Sequence, residues 1–169
     1  MSPLPRMASR VIAWACLAIA PAWADDRPST PQRLHPAYVA ECASCHLAYP
    51  PTMLPAASWH RILKGLDQHY GVDASLDEAT VRQLSAWLSA NAGTGRRAAV
   101  APPDDRITRS NWFVREHRDI PSAVWALPSV KSAAHCAACH RGAEQGRFDD
   151  NDLVRPPGLT PAQGRAWSD

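Results

Sequence analysis

The chain has 169 residues, with 18 lysines and arginines against 16 aspartates and glutamates, a formal net charge of +2. It contains no run or stripe of basic residues, which argues against a nucleic-acid-binding protein. The length suits one ordinary domain or two small ones.

The first 24 residues are predicted to be a cleaved secretory signal. Arg6 and Arg10 give a positive amino-terminal region, residues 11–20 are apolar, and residues 22–24 form a small-x-small cleavage site. Cys16 lies inside the apolar stretch and is expected to be removed with the signal. The mature protein is therefore expected in the periplasm, without a transmembrane segment.

The first half of the mature chain is predicted to be helical, with Pro-rich connections. A short helix over residues 36–46 precedes an extended segment over residues 49–55, where three prolines interrupt regular helix. Ser58 is the predicted cap of a helix that ends at Gly71. Ser75 begins a capping-box match before a further helix. The apolar stripe of that last helix consists of Val81, Leu84, Trp87 and Leu88.

Residues 94–106 are predicted to be a linker, because glycines, prolines, small residues and charges occur there without apolar periodicity. In the second half, Ser110 is expected to cap a short helix that reaches Asp119, and a helix is expected near residues 130–141. No alternating pattern is long enough to indicate a strand.

Each half of the chain contains a C-x-x-C-H motif, the attachment signature of c-type haem. The motifs comprise Cys42, Cys45 and His46, then Cys136, Cys139 and His140. The two thiols add to the vinyl groups of a haem, and the histidine binds its iron as proximal ligand. Two covalently bound haem c groups are expected, and they use every cysteine of the mature chain. A zinc ribbon would place its cysteine pairs closer together, and a thioredoxin-like site would need a βαβ pattern.

Halves of this size bury little surface alone, and a covalent haem supplies a large apolar body around which short helices pack. The predicted fold is mainly α, with two small cytochrome-c-like helical domains, each wrapped round one haem, and long Pro-rich loops. The N-terminal haem domain is placed at residues 25–93, the linker at 94–106 and the C-terminal haem domain at 107–169.

The distal iron ligand decides what each haem does, because methionine raises its potential, histidine leaves it lower and an open site binds small ligands. Met53 is the single methionine after the predicted signal, so at most one haem has His/Met ligation. On a helical wheel His69 lies about 70° from the apolar stripe and His60 about 110° from it. This favours His69 as distal ligand of the first haem, with His60 and Met53 as alternatives.

In the second half, His117 is the predicted distal ligand. It follows Trp112 and Phe113, an aromatic pair suited to the wall of a haem site. His135 directly precedes Cys136 and is unable to reach the opposite haem face, so it is expected on the surface. His35 is expected to be exposed rather than ligating.

These residues resemble a small family of bacterial periplasmic dihaem cytochromes c. The resemblance extends from the first motif to Phe148 and Pro156, and the stretch over residues 69–76 is far more particular than the motifs, which every c-type cytochrome shares. It implies an electron carrier with two bis-histidinyl haems, in which His69 and His117 are the distal ligands. It also implies redox partners, namely an oxygen-binding monohaem cytochrome c and a membrane b-type cytochrome.

The expected function is thus single-electron transfer through two low-potential haems, without enzymatic activity. One alternative is a haem enzyme or ligand-binding sensor with one open iron site, such as a small peroxidase. Another is a redox subunit of a larger oxidoreductase.

Overall fold

The computed structural model describes residues 33–167, so the predicted signal at residues 1–24 lies outside the described residues. The described part is mainly helical, as predicted. Its α-helices are α1 (Pro36–Cys42), α2 (Ala56–Lys64), α3 (Glu78–Asn91), α4 (Asn111–Glu116) and α5 (Ser122–Trp125). Its 3-10 segments are Pro51–Met53, Leu66–Gln68, Arg96–Ala98, Pro103–Asp105, Ile107–Arg109, Cys136–Ala138, Ala143–Gln145, Asp150–Asp152 and Gln163–Trp167. Within residues 33–167, β pairing is confined to isolated bridges, His69 with Val72 and His140 with Leu153.

The core of the first half lies where α2 packs on α3, with α1 beside them. Leu63 of α2 and Leu84 and Leu88 of α3 are at most 7% exposed. Each such side chain contributes about 1.5–3 kcal/mol when it is fully buried. The predicted apolar stripe of α3 is therefore confirmed, with Val81 and Trp87 partly buried against the same core.

The helix predicted from Ser58 to Gly71 is shorter than expected. Ser58 lies inside α2 and is fully buried rather than serving as its cap. The helix stops before Gly65, whose amide bonds back to the last turn. As a result His69 lies outside the helix, and the helical wheel that favoured it as a ligand does not describe its surroundings.

The amino terminus of α3 is capped by Asp77, and the predicted capping box at Ser75 is wrong. The Asp77 carboxylate accepts from the amides of Ala79 at 2.9 Å and Thr80 at 3.0 Å. The Thr80 hydroxyl also donates to it at 2.6 Å. A carboxylate that receives two amides and a hydroxyl satisfies more of the helix end than a serine does. The Ser75 amide instead bonds to Asp73.

Both haem motifs lie largely outside α-helix, contrary to the helices predicted at residues 36–46 and 130–141. The first helix, α1, ends at Cys42, and the chain turns over the rest of the motif. The second motif begins on the 3-10 segment Cys136–Ala138. Lys131 has φ of 70°, in the left-handed region, which interrupts any helix through the predicted range.

The Pro-rich stretch at residues 49–55 contains no α-helix, but it is not fully extended as predicted. It includes the 3-10 segment Pro51–Met53, because the fixed φ of proline suits the first position of a helical turn. This stretch is held by the Gly93 amide, which donates to the Leu54 carbonyl at 2.9 Å. The predicted linker contains two 3-10 segments, and its Ala98 is buried.

The second half has fewer buried side chains than the first. Ser110 caps α4 as predicted, with its hydroxyl accepting from the Phe113 amide at 3.3 Å, although α4 ends at Glu116 rather than at residue 119. Phe113, Val124 and Val130 are the large hydrophobic side chains buried there among the described residues. No helix in residues 33–167 is long and apolar enough to cross a membrane.

Candidate haem sites

The turn after α1 and the 3-10 segment after α2 bring the rings of His46 and His69 close together. Their ring centres are 6.1 Å apart, with the ring planes inclined by 24°. Metal–imidazole bonds are about 2 Å long, so two imidazoles on opposite sides of one metal ion have ring centres about 6 Å apart. The pair therefore fits the two axial positions of one haem iron.

The surroundings of His69 favour its neutral imidazole, the form that binds metals. The Nδ1 of His46 lies 2.8 Å from the Leu47 carbonyl oxygen. If Nδ1 donates its proton there, Nε2 keeps its lone pair for a metal. Partial burial lowers the pKa of His69, and the neighbouring His46 and Arg106 lower it further.

A second pair of imidazoles lies in the other half of the molecule. His117 follows the last residue of α4, and its ring centre is 6.1 Å from that of His140, with the planes inclined by 70°. The Nδ1 of His117 lies 2.9 Å from the Phe113 carbonyl oxygen, which again leaves Nε2 for a metal. Burial lowers the pKa of His140, and His117 adds to that effect. The Nδ1 of His140 is buried and has no hydrogen-bond partner in the described part of the chain.

Aromatic side chains surround the second pair. Phe113 stacks on His117 with ring centres 4.0 Å apart and planes 16° apart. Trp125 lies 5.9 Å from His117, and Phe148 lies 5.7 Å from His140. A half with so few buried side chains needs another apolar body in its core, and aromatic walls of this kind suit a haem.

All four motif cysteines carry free thiols in the described chain. Burial raises the pKa of Cys42 and of Cys136 to about 11 each, and it also raises the pKa of Cys139. No disulfide competes with thioether formation at these positions, so both motifs fit covalent haem attachment.

The family model for dihaem cytochrome c matches residues 38–148, from α1 to beyond the second motif. The chain belongs to the dihaem cytochrome c family. It accordingly binds two covalently attached haem c groups, and membership implies an electron carrier.

Solved structures of bacterial dihaem cytochromes c are similar to this family member. One protein purified from Rhodobacter sphaeroides is 40% identical, with a TM-score of 0.61, over 69% of this chain and 98% of that one. A dihaem cytochrome from Shewanella baltica OS155 is 35% identical, with a TM-score of 0.63, over 73% of this chain and 94% of that one. A second Rhodobacter sphaeroides structure is 42% identical, with a TM-score of 0.60, over 68% and 96%. No curated protein matches the chain.

The remaining candidate ligands lie in other environments. Both ring nitrogens of His60 contact serine hydroxyls of α3, Ser85 at 3.1 Å and Ser89 at 2.9 Å. Met53 is half-buried at the end of its 3-10 segment. The structure thus places His69, rather than His60, opposite His46.

The other two histidines, His35 and His135, contact backbone atoms close to them in the sequence. The Nδ1 of His35 accepts from the Ala37 amide at 3.1 Å and caps α1, so this side chain is half-buried rather than exposed. His135 is exposed, and its Nδ1 lies 3.0 Å from the Val130 carbonyl oxygen.

Tyr49 is a site residue that the sequence analysis missed. Its ring centre is 5.2 Å from that of His46, and its hydroxyl donates to the Ala134 carbonyl at 2.7 Å, beside the second motif. Burial, with a contribution from Cys136, raises the pKa of Tyr49 to about 12. A tyrosine close to a haem motif indicates a ring that packs against the site and a hydroxyl that forms a hydrogen bond. The partner 85 residues away leaves no local trace in the sequence.

Proposed function

We propose that this protein carries single electrons between redox partners through two bis-histidine haems of low potential. His46 and His69 bind the first iron, and His140 and His117 bind the second. The thioether links are made by Cys42, Cys45, Cys136 and Cys139.

The observation that carries this proposal is the pairing of each motif histidine with a second imidazole at the same ring separation, 6.1 Å in both halves. An iron held by two imidazoles would change between Fe(III) and Fe(II) without a change of ligands. A second histidine, unlike methionine, also leaves the haem potential low. Such a pair of sites suits electron transfer.

A haem enzyme or sensor would need one iron with an open distal position. In this chain each proximal candidate lies beside another imidazole, with ring centres 6.1 Å apart, which supports the carrier over the enzyme. The resemblance supports a monohaem c-type cytochrome and a membrane b-type cytochrome as partners. The predicted signal at residues 1–24 supports a location in the periplasm.

The spectrum of the purified holo-protein tests this proposal. We expect low-spin haems in both oxidation states, no His/Met charge-transfer band in the near infrared, and no change when carbon monoxide is added to the reduced form. Binding of carbon monoxide would instead favour an open site, and a His/Met band would assign Met53 to the first iron.

Two alanine variants test which histidines are iron ligands. His117→Ala should create one site that binds carbon monoxide, since it removes one imidazole of the second pair. His60→Ala is the matched control, because His60 contacts only the α3 serines among its hydrogen-bond partners, and its spectrum should equal that of the wild type. An unchanged spectrum in His117→Ala would remove that residue from the site.

A further inference from the structure

Arg106 is a cationic side chain beside the first haem site. Its guanidinium lies 4.1 Å from the ring centre of Tyr70, and the Tyr70 ring centre is 4.8 Å from that of His69. A guanidinium this close to the centre of a tyrosine ring is held there by cation–π attraction. Arg106 is therefore one aromatic contact away from the proposed distal ligand of the first iron.

The predicted linker keeps Tyr70 in this position. The Tyr70 hydroxyl donates to the carbonyls of Asp104 at 3.1 Å and Asp105 at 3.2 Å. All three residues have φ of 53°, in the left-handed region that residues other than glycine seldom occupy. Such backbone persists only where the surrounding contacts determine it. These contacts therefore hold residues 104–106 against the turn that carries His69.

The two carboxylates that precede Arg106 are each paired with another arginine. Arg61 donates two hydrogen bonds to Asp105, from Nε at 2.8 Å and from Nη2 at 2.6 Å. Asp104 pairs with Arg109. Within residues 33–167 the Arg106 guanidinium contacts the Tyr70 ring and forms no ion pair. Three guanidinium groups and two carboxylates thus leave one positive charge, on Arg106.

The charge of Arg106 acts on the His69 ring. The pKa of His69 is lowered by burial first and then by His46 and Arg106, and no carboxylate of the described residues raises it. A cation that disfavours positive charge on the imidazole also disfavours positive charge on a metal bound to that imidazole. Reduction of Fe(III) to Fe(II) removes one positive charge from the site, so Arg106 favours Fe(II) there.

We propose that Arg106 raises the reduction potential of the first haem above the value that two imidazole ligands alone would give. Tyr70 is the positioning residue for the guanidinium. The charge acts through space when one electron enters the first site, and no proton or other atom is transferred. A higher first potential favours the first haem as the position of an electron that the two haems share. This inference rests on the proposed function, in particular on His69 as a ligand of the first iron.

A series of charges at position 106 tests the proposal. The holo-protein is reduced stepwise at low salt, and ¹H NMR signals of the haem methyl groups give the Fe(II)/Fe(III) ratio of each haem. At a fixed potential the ratio of the first haem should fall about threefold in Arg106→Gln and about tenfold in Arg106→Glu. Arg106→Lys keeps the charge and should restore the ratio to within about twofold of the wild type. The ratio of the second haem should stay unchanged in all three variants.

The matched control removes one cation elsewhere. Arg82→Gln changes an exposed side chain of α3 that pairs with Glu78 at 3.3 Å, and it should leave both ratios unchanged. An equal fall in Arg82→Gln and Arg106→Gln would show an effect of net charge alone and overturn the proposal. An equal fall in Arg106→Lys and Arg106→Gln would overturn it as well, because the packing of the side chain would then matter rather than its charge.

Salt gives a second readout that a purely structural role would not change. Because Arg106 is exposed, the difference between wild type and Arg106→Gln should shrink in about 1 M salt. A difference that does not vary with salt would contradict an electrostatic origin. The methyl signals that change in His69→Met identify the first haem. If none changes, His69 is not a ligand and both proposals fail. If they change and the Arg106 variants keep the wild-type ratios, this proposal alone fails.

Discussion

His69 is the side chain whose replacement should alter the first haem site most directly. Exchanging an imidazole for a thioether favours Fe(II), so His69→Met should raise the potential of the first haem by on the order of 0.1 V, while the second potential stays in place. Potentiometric titration followed by visible spectra measures both potentials. A near-infrared His/Met band should accompany the change. If potential and spectrum both match the wild type, His69 is not a ligand.

Met53→Leu is the control for that experiment at the same haem. It keeps the volume and apolar character of a half-buried side chain. Both potentials should equal those of the wild type, because the proposed imidazole ligands, His46 and His69, would leave no axial position for a thioether. A drop in the first potential of Met53→Leu would identify Met53 as the ligand instead.

At the scale of elements, Gly93 holds the end of α3 against the Pro-rich stretch. A β-carbon there would lie 2.3 Å from the Thr52 carbonyl oxygen and 2.4 Å from the β-carbon of Ala98. Gly93→Ala should therefore lower the free energy of unfolding by about 2 kcal/mol, as overpacking does elsewhere. Urea denaturation of the holo-protein measures it. Gly95→Ala has open space and an ordinary φ of −81°, so its stability should be unchanged or slightly higher.

The cap of α3 should make stability depend on pH. The pKa of Asp77 lies below its usual 3.8, chiefly because the Thr80 side chain bonds to it. A carboxyl whose folded pKa is depressed stabilises the fold fully above its unfolded pKa, and this effect is lost as pH falls through the folded value. Asp77→Ala should thus lower Tm by a few degrees at pH 6, and the difference should shrink below pH 4.

The amide variant separates the cap from its charge. Asp77→Asn should keep most of the stability at pH 6, since an asparagine oxygen also caps a helix. Its own contribution should not vary with pH, because an amide does not titrate there. A difference between wild type and Asp77→Ala that stays constant down to pH 2 would contradict this account.

The elements show which parts of the fold can be read from the sequence. The presence of two covalent haems, the buried stripe of α3 and the Ser110 cap depend on neighbouring residues, and all three predictions are confirmed. The individual motif residues that hold the haems remain predictions. The ends of helices are harder to predict from the sequence. Either Gly65 or Gly71 could end α2, and only tertiary packing determines which of them does. His69 was predicted as a ligand from a helical wheel, which does not apply because the residue lies outside α2. Its role as ligand remains a prediction, like the boundaries of the two haem domains.

For the whole molecule, the important contact is the one between the two haem-motif segments. The Tyr38 hydroxyl donates to the Tyr49 carbonyl at 2.8 Å, and the Tyr49 hydroxyl donates to the Ala134 carbonyl at 2.7 Å. These hydrogen bonds connect α1 to the residues just before Cys136. Because its hydroxyl bridges the two motif segments, Tyr49 should make the unfolding of the two halves more cooperative.

Tyr49→Phe removes the hydroxyl and keeps the ring against His46. The lost hydrogen bond should lower the free energy of unfolding by about 1 kcal/mol. Urea transitions followed by Soret absorbance and by far-ultraviolet circular dichroism report the change, and the variant should also be cleaved faster by protease at residues 94–106. Tyr70→Phe is the control, since its hydroxyl bonds to the Asp104 and Asp105 carbonyls at the exposed surface. If Tyr70→Phe loses as much stability as Tyr49→Phe, the contact between the two motif segments contributes no more to stability than a hydrogen bond at the surface. The halves would then be held together by other packing.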